Sequence, residues 1–398
     1  MIERPDYLKF LTSWKDQPII KVVSGIRRCG KSTLFELYKE FLLKSGVEQN
    51  QIISINFEEA DFEYLCDYKA LYEYVKSKML PDKMNYIFLD EIQHVPDFQR
   101  AVDSLFIKKN ADVYITGSNA FFMSSELATL LSGRYVELKM LPLSFKEYYS
   151  AIDTSKLSKE EVYSRYITNS SFPYTVGLSN KTQIRQYLDG IFNTVVLNDI
   201  MDRNKIADSS MLKSVIAFMF DNIGNPTSAK RIADTMTSMN RKISNHTVEN
   251  YLSAIVDSLL MYKISRYDIK GKQYLQMLDK YYLVDIGLRF YLLGSGNVDR
   301  GHILENIVYL ELLRRGYEIY VGKVGANEVD FITKDFNGNT SYFQVSYSVK
   351  DDTTLKRELE PLQNIQDHNP KYLLTMDNEP QISHNGIQQV NVLDWLLS

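Results

Sequence analysis

The chain has 398 residues, of which 44% are hydrophobic and 24% are charged, and its formal net charge is −4. This length and composition predict a globular protein of two or three domains and exclude a largely disordered chain. The near-neutral balance excludes a basic field over the whole surface, so any contact with nucleic acid has to come from a local patch.

Cysteine usage and the absence of long apolar runs favour the cytoplasm. The chain has two cysteines, Cys29 and Cys66, which give no disulfide framework. The first residues have no apolar signal core, and the longest apolar runs, such as that at 87–89, are far too short to cross a bilayer. We therefore expect a cytoplasmic protein with no membrane partner.

A phosphate-binding loop is the first motif along the chain. It consists of Gly25, Ile26, Arg27, Arg28, Cys29, Gly30, Lys31, Ser32 and Thr33. The spacing matches G-x-x-x-x-G-K-[ST], with an apolar strand over 18–24 before it and a helix over 34–43 after it. The glycines allow the backbone to approach a polyphosphate, Lys31 can reach the β- and γ-phosphates, and Ser32 can supply a hydroxyl to Mg²⁺. The motif predicts binding of ATP with Mg²⁺, and the alternative is an ordinary glycine-containing turn.

Two acids follow a later apolar strand. After a strand at 51–57 and a helix at 71–79, the strand over 86–89 ends in Asp90 and Glu91. Buried parallel strands are apolar runs of this kind, and ligands bind at their carboxyl ends in open α/β sheets. We expect Asp90 to hold the water shell of Mg²⁺ and Glu91 to be the general base that polarises the attacking water. The alternative is a strand end capped by two solvated acids.

The next strand, over 112–119, also has polar residues at its carboxyl end. We expect Ser118, in preference to Asn119, to contact the γ-phosphate or the attacking water. The alternative is an ordinary turn, because Gly-Ser-Asn is turn chemistry. A helix over 123–131 and a strand over 135–138 are predicted to follow.

Five motifs in this order resemble those of a known family. They are the loop with Arg27-Arg28, then Asp90-Glu91-Ile92-Gln93, Thr116-Gly117-Ser118, Leu131-Ser132-Gly133-Arg134 and Leu141-Pro142-Leu143-Ser144-Phe145. Together they resemble the AAA+ ATPases of archaea and bacteria that carry a C-terminal nuclease-like domain, which was long described as being of unknown function. The resemblance covers nearly the whole chain. It implies an α/β fold with a parallel P-loop AAA+ sheet, a helical lid and ATP hydrolysis.

The same resemblance implies roles for two further polar residues. Arg134 matches an arginine finger, whose permanently charged fork would stabilise the γ-phosphoryl group of ATP on a neighbouring subunit of a homo-oligomer. Asn56, at the end of the second strand, matches the residue that restrains the catalytic glutamate until a ligand arrives. The alternatives are a surface arginine and a turn-forming asparagine.

The chain divides into four predicted domains. We place the AAA+ core at 1–142, a helical lid at 143–207, a winged-helix domain at 208–300 and a restriction-endonuclease-like domain at 301–398. Within the lid, residues 170–173 are Ser-Ser-Phe-Pro where relatives in the resembled family have Gly-Gly-Phe-Pro, so we expect that turn to differ.

Three helices followed by a hairpin predict the winged helix. The helices lie over 211–220, 229–236 and 247–260, and the strands over 261–267 and 273–278. The third helix of such a domain can enter the major groove of DNA. The residues that can face phosphates are Arg241, Lys242, Asn245, His246, Lys270 and Lys272. The alternative is a spacer or protein-contact module, because phosphate contacts need clustered positive charge.

The C-terminal stretch resembles the restriction-endonuclease-like nucleases but lacks part of their site. In those enzymes, acids on a helix and two strands bind Mg²⁺, and the lysine of E-x-K supports the attacking water. Here Glu305 lies on the helix and Asp330 on the first strand, but the E-x-K positions are Gln344-Val345-Ser346. Glu328 lies two residues from Asp330, hence on the same strand face, and can substitute as a ligand. Because one ligand and the lysine are missing, we predict an inactive scaffold with a vestigial site at Glu305, Glu328, Asp330 and Gln344.

These expectations give one main hypothesis and two alternatives. In the main hypothesis, hydrolysis of ATP with Mg²⁺ drives conformational change in the winged-helix and nuclease-like modules, which act on DNA. The alternatives are an ATP-regulated module that binds nucleic acid or protein with little turnover, and an ATP-gated, metal-dependent nuclease. The acids Asp90 and Glu91 favour hydrolysis over the first alternative, and Gln344 and Ser346 argue against the second.

Overall fold

The computed structural model of the chain describes residues 2–118, 131, 133–269, 271, 273–296, 299–379 and 382–398. Two compact units make up the chain, Met1–Pro142 and Leu143–Ser398. Three predictions fall outside the described residues: the helix over 123–131 apart from its last residue, the role of Asn119, and the phosphate contacts of Lys270 and Lys272. In the described ranges, no helix combines the length and apolarity needed to span a membrane.

A five-stranded parallel sheet organises the first unit. Its strands are β1 (Ile20–Gly25), β2 (Ile52–Asn56), β3 (Asn85–Asp90), β4 (Ala111–Ser118) and β5 (Tyr135–Lys139). The order across the sheet is β2-β3-β4-β1-β5, and each pair of neighbours runs parallel. The longer helices described in this unit are α1 (Pro5–Ser13), α2 (Lys31–Lys44), α3 (Tyr68–Lys78) and α4 (Phe98–Phe106).

The central strands form because their residues are largely apolar on both faces. All residues of β1 and β3 are buried, as expected for parallel strands that have helices on both sides. Helix α4 buries Phe98, Ala101, Val102 and Leu105, which recur at helical spacing. The mixed α/β class with a parallel sheet, predicted from the sequence, is confirmed. Because the strands are parallel, the carboxyl ends of β1, β3 and β4 lie at one edge of the sheet.

Capped helices and one mixed sheet build the second unit. The helices are α5 (Phe145–Ala151), α6 (Lys159–Asn169), α7 (Lys181–Gly190), α8 (Asn198–Asn204), α9 (Ser209–Asp221), α10 (Ala229–Ser238), α11 (Asn245–Asp257), α12 (Ile286–Leu293), α13 (Arg300–Arg314), α14 (Asp352–Gln363) and α15 (Val392–Leu397). Ser144 and Ser158 open α5 and α6 with capping boxes, in which serine and a glutamate three residues on satisfy two backbone N–H groups. A π-helical segment, Ile191–Leu197, joins α7 to α8.

The sheet of the second unit has eight strands. They are β6 (Met261–Asp268), β7 (Gln273–Leu283), β8 (Glu318–Val324), β9 (Asn327–Lys334), β10 (Thr340–Ser346), β11 (Lys371–Thr375), β12 (Ile382–His384) and β13 (Ile387–Asn391). Their order is β12-β13-β11-β10-β9-β8-β6-β7. Strand β6 pairs in parallel with β8, so the predicted wing hairpin and the strands of the predicted C-terminal domain share one sheet.

The turn at Ser170 adopts a backbone conformation that favours glycine. Ser170 has a φ of +82°, which costs a residue with a side chain about 1–3 kcal/mol. The N–H and the hydroxyl of Ser171 each donate to the Asp285 carboxylate at 2.7 Å. A Cβ on Gly287 would lie 2.4 Å from Ser170 Cα, so the two backbones pack directly against each other. These contacts hold the turn in place with serine instead of glycine.

Candidate nucleotide-binding site

The loop between β1 and α2 requires glycine at both of its motif positions. A Cβ on Gly25 would lie 2.3 Å from the Met140 carbonyl oxygen and 2.9 Å from Cys29 Sγ. Gly30 has a φ of +107° and is the N-cap of α2. Because glycine has no side chain to cap the helix, an anion can take the place of the capping group at this helix start.

A buried arginine from the N-terminal segment braces this loop. Arg4 donates from Nη1 to the Cys29 carbonyl oxygen at 3.1 Å and from Nη2 to the Leu141 carbonyl oxygen at 2.8 Å. The Leu141 N–H donates to the Tyr7 hydroxyl at 3.1 Å, and the Arg4 guanidinium lies 4.7 Å from the centre of the Tyr7 ring. The loop backbone is therefore held by residues far from it in sequence, which sequence analysis did not single out.

Two carboxylates lie at the carboxyl end of β3. Asp90 is the last residue of the strand, and Glu91 follows it with a φ of +53°. The Thr116 hydroxyl on β4 accepts the Glu91 N–H at 2.8 Å and donates to the Asp90 carboxylate. The Ser32 hydroxyl also hydrogen-bonds to Asp90. One hydroxyl on β4 thus holds both the Asp90 carboxylate and the Glu91 N–H. These contacts stabilise the left-handed backbone conformation of Glu91.

The Glu91 carboxylate contacts an ammonium on one oxygen and an amide on the other. Lys31 Nζ lies 3.2 Å from Glu91 Oε1 and donates to the Gly25 carbonyl oxygen at 3.2 Å. Gln93 donates from Nε2 to Glu91 Oε2. Lys31 and Glu91 are 4% and 6% exposed, so little solvent screens their attraction.

The surroundings shift the two acids in opposite directions. Burial raises the pKa of Asp90 above its ordinary value, against the hydrogen bonds from Ser32 and Thr116. Burial also disfavours the ionised form of Glu91, but the charge of Lys31 and hydrogen bonds from Gln93 and Lys31 outweigh it. The pKa of Glu91 therefore lies below its ordinary value. Glu91 is a carboxylate at neutral pH and can accept a proton.

The structure brings four of the predicted site residues together: Lys31, Ser32, Asp90 and Glu91. The backbone of Ser118 ends β4 and pairs with Gly25 at the same edge of the sheet, but its side chain lies outside the described part of the structure. Gln93 and Thr116 have no role predicted from the sequence, although both lie inside its motifs.

Asn56 contacts its own turn. Its Nδ2 donates to Glu59 at 3.4 Å and its Oδ1 accepts the Glu58 N–H at 3.0 Å. Backbone pairing places Asn56 beside Asp90, but the amide that contacts Glu91 is that of Gln93. The restraint predicted for Asn56 stays a prediction, and the structure offers Gln93 as a second candidate for contact with the glutamate.

Arg134 lies at the opposite edge of the sheet from the loop. Its carbonyl oxygen accepts the Ile20 N–H at 3.0 Å, at the start of β1. The six residues from Ile20 to Gly25 span roughly 17 Å, which is beyond the reach of an arginine side chain. The guanidinium lies 5.8 Å from the centre of the Phe106 ring on α4. Arg134 therefore cannot serve the loop of its own chain, and a role on a neighbouring subunit stays a prediction.

A second cluster of carboxylates surrounds a lysine in the second unit. Lys280 Nζ on β7 lies 3.0 Å from Glu305 Oε1 and 2.7 Å from Glu328 Oε1. The Tyr282 hydroxyl also donates to Glu305 at 2.5 Å, and Arg266 pairs with Glu328. Burial lowers the pKa of Lys280, but the charges of the surrounding carboxylates outweigh this effect and raise it.

The other two predicted residues of this cluster contact each other. Gln344 Oε1 accepts the Asp330 N–H at 3.3 Å, and Gln344 Nε2 donates to Glu358 at 2.9 Å. Burial and the charge of Glu305 raise the pKa of Asp330 well above its ordinary value, against the charge of Lys280. The four residues predicted for a vestigial nuclease site thus lie in one region. Lys280 was not predicted from the sequence, because it is a single cation in an aromatic strand of another predicted domain.

Comparisons with known proteins give the family context of this site. Residues 17–149 match the AAA domain family, and residues 160–299 match a family described as a domain of unknown function. An uncharacterized protein of Haemophilus influenzae is 40% identical over 400 residues, which cover 100% of this chain and 99% of that protein. The uncharacterized protein MJ1544 of Methanocaldococcus jannaschii is 30% identical over 364 residues, covering 85% of this chain and 77% of that protein. Among solved structures, the Walker-type ATPase PABY2304 of Pyrococcus abyssi is 14% identical, with a TM-score of 0.45, and the match covers 73% of this chain and 96% of that chain.

Proposed function

The chain belongs to the family of AAA-domain proteins that includes the Haemophilus influenzae and Methanocaldococcus jannaschii relatives, and on this premise we propose that it hydrolyses ATP with Mg²⁺ to ADP and phosphate. The observation that carries the proposal is the meeting of Lys31, Asp90 and Glu91 beside a glycine loop at a helix start. This arrangement combines a cation for the phosphates, a carboxylate for a metal and an ionised base.

Each of these groups has the chemistry for one part of the reaction. The helix start and Lys31 bind the polyphosphate. Glu91, which Lys31 and Gln93 keep ionised, accepts a proton from the attacking water. Thr116 holds both acids at fixed positions through one hydroxyl, so the base stays aligned with the phosphate site.

The oxygen donors of Ser32 and Asp90 fit magnesium. The Ser32 hydroxyl hydrogen-bonds to the Asp90 carboxylate, so two hard oxygen ligands are neighbours. Magnesium is usually held by one or two carboxylates together with waters and substrate phosphates. When bound, Mg²⁺ neutralises charge on the β- and γ-phosphate oxygens.

Removal of the lysine tests nucleotide binding. Lys31→Ala is expected to lower the affinity for ATP by about 10- to 100-fold or more, because it removes a charge-assisted contact with the phosphates. Lys44→Ala, at the exposed end of the same helix, is the matched control and should leave binding unchanged. Titration of a fluorescent ATP analogue with Mg²⁺ measures both. Unchanged affinity and hydrolysis in Lys31→Ala would refute the assignment of the site.

We also propose that the protein forms a homo-oligomer in which Arg134 acts on the ATP of a neighbouring subunit. The position of Arg134 far from its own loop supports this arrangement. Arg134→Ala and Lys31→Ala subunits should each be inactive alone and recover part of the turnover when mixed, since one interface in the mixture has both groups. A strictly monomeric protein with full ATPase activity would contradict it.

We propose that residues 208–300 form a winged-helix domain that contacts DNA. Helices α9, α10 and α11 followed by the β6–β7 hairpin support it, as does an isolated bridge between Thr227 and Asp279 ahead of α10. Lys242 and His246 are exposed at the start of α11, whereas Arg241 donates to Ser210 at 2.7 Å and to Ser214 on α9. ATPase rates with duplex, single-stranded and junction DNA test the contact. Equal rates with and without DNA, together with no DNA binding, would favour a protein-contact module.

For residues 301–398 we propose an inactive restriction-endonuclease-like domain. The pairing of Glu305 and Glu328 with Lys280 supports inactivity, because both carboxylates already have a cation.

We propose a cytoplasmic location, since both cysteines are free thiols and suit a reducing compartment.

A further inference from the structure

The catalytic carboxylate proposed for this chain is held by two groups that differ in charge. Lys31, at the start of α2, contacts Glu91 Oε1, whereas Gln93, in the short 3₁₀-helix Ile92–His94, contacts Glu91 Oε2. The Arg27 charge, the Asp90 carboxylate and the Cys29 thiol also face Glu91. The side chain of Gln93 is neutral, so a change in the charges around the loop affects its contact with the carboxylate less than it affects that of Lys31.

The two contacts respond differently to a polyphosphate. Lys31 has three N–H donors and directs two of them to Glu91 and to the Gly25 carbonyl oxygen. Phosphate oxygens attract the ammonium more strongly than a neutral carbonyl does, so binding of a nucleotide draws Lys31 toward the phosphates. Gln93 has no net charge and lies on the segment that follows β3, so its hydrogen bond to Glu91 Oε2 is retained.

We propose that Gln93 is a positioning residue for Glu91: it holds Oε2, so that Oε1 faces the attacking water once Lys31 has turned to the phosphates. The inference rests on the proposed ATPase function and deepens it. A carboxylate attached to a glutamate chain rotates in a broad energy well about its last torsion. Fixing one oxygen therefore fixes the other, and the base is presented in one orientation.

Gln49 provides the matched comparison. It is an exposed glutamine in the 3₁₀-helix Gln49–Gln51, which precedes β2 and lies at the opposite edge of the sheet from Asp90. If the amide of Gln93 positions Glu91, removal of Gln93 and removal of Gln49 must have different effects on turnover.

Steady-state kinetics of the full chain with ATP and Mg²⁺ separate the two amides. Gln93→Met keeps the side-chain length and removes the donor, and it should lower kcat by about 10- to 100-fold while KM for ATP stays unchanged. Gln49→Met should leave both constants near wild-type values. The stoichiometry of bound ATP analogue, measured on the same samples, shows that the loss of kcat does not come from a smaller folded fraction. If Gln93→Met does not fold, Gln93→Glu keeps the shape, removes the donor and should lower kcat at least as far.

A double-mutant cycle shows whether Gln93 acts through Glu91. In a Glu91→Gln background, adding Gln93→Met should cause no further loss of the residual single-turnover rate. An unchanged or increased kcat in Gln93→Met, with full ATP-analogue stoichiometry, would overturn the inference, and so would a further loss in the Glu91→Gln background. If wild-type protein itself does not hydrolyse ATP, the proposed function fails. If wild-type protein hydrolyses ATP and Gln93→Met matches it, only the role of Gln93 fails.

Discussion

Both units bury a lysine among carboxylates, but the two lysines have different partners. Lys31 contacts one carboxylate, Glu91, and lies on a glycine loop where a helix start can bind an anion. Lys280 contacts two carboxylates, Glu305 and Glu328, and lies on a strand against a buried helix. The difference indicates which of the two lysines can bind an added ligand. A lysine with one acid partner beside an anion site can turn to a ligand, whereas a lysine with two acid partners serves as their internal counterion.

One acid of each cluster, Glu91 and Asp330, shows a contrast in pKa, whereas burial raises the pKa of Asp90 in the first cluster as well. The pKa of Glu91 is lowered, because Lys31 and Gln93 outweigh its burial, so it remains an ionised base. The pKa of Asp330 is raised well above its ordinary value by burial and by the charge of Glu305. Glu91 is therefore available as a base, whereas the contacts of the second cluster hold strands and a helix together.

Removal of Lys280 is expected to have the largest effect on the stability of the second unit. Lys280→Met leaves the buried carboxylate of Glu305 and the partly exposed one of Glu328 without that cation, and it should lower the free energy of unfolding of the second unit by about 3–5 kcal/mol. Lys263→Met breaks the exposed ion pair with Asp279 and is the control, with an expected loss of about 0–1 kcal/mol. Urea unfolding of the full chain measures both. Equal losses in the two variants would mean that Lys280 is not the counterion of this cluster.

The smallest expected effect is that of divalent metal on the second cluster. Because Lys280 and Arg266 already pair with Glu305 and Glu328, Mg²⁺ or Mn²⁺ without nucleotide should leave the stability of the second unit unchanged. For the same reason, purified protein with either metal should not cut plasmid, single-stranded or four-way-junction DNA. Cleavage that disappears in Asp330→Ala would show a working nuclease and break the contrast between the two clusters.

The sequence predicts those parts of the molecule that depend on residues adjacent in the chain. The glycine loop and the pair Asp90-Glu91 are continuous motifs, and buried parallel strands are continuous apolar runs. The predicted strands at 18–24 and 51–57 therefore fall close to β1 and β2. The AAA domain assignment for this region is confirmed by the family match.

The remaining contacts depend on strand order and register, which no local pattern encodes. Thr116 meets Asp90 because β4 pairs with β3, and Arg4 reaches Cys29 across 25 residues. Lys280 joins the C-terminal cluster because β6 pairs in parallel with β8, a pairing between strands far apart in the chain. The sequence assigned these strands to separate domains, so it could not place Lys280 beside Glu305.

The most direct test of the account measures bound and hydrolysed ATP in the same sample of Glu91→Gln protein. The substitution removes the base and keeps the shape of the side chain. With labelled ATP and Mg²⁺, the account predicts that the variant retains ATP with an affinity no weaker than that of wild-type protein, while the release of labelled phosphate is lost. Release at the wild-type rate would show that the base lies elsewhere and would contradict the assignment of Glu91.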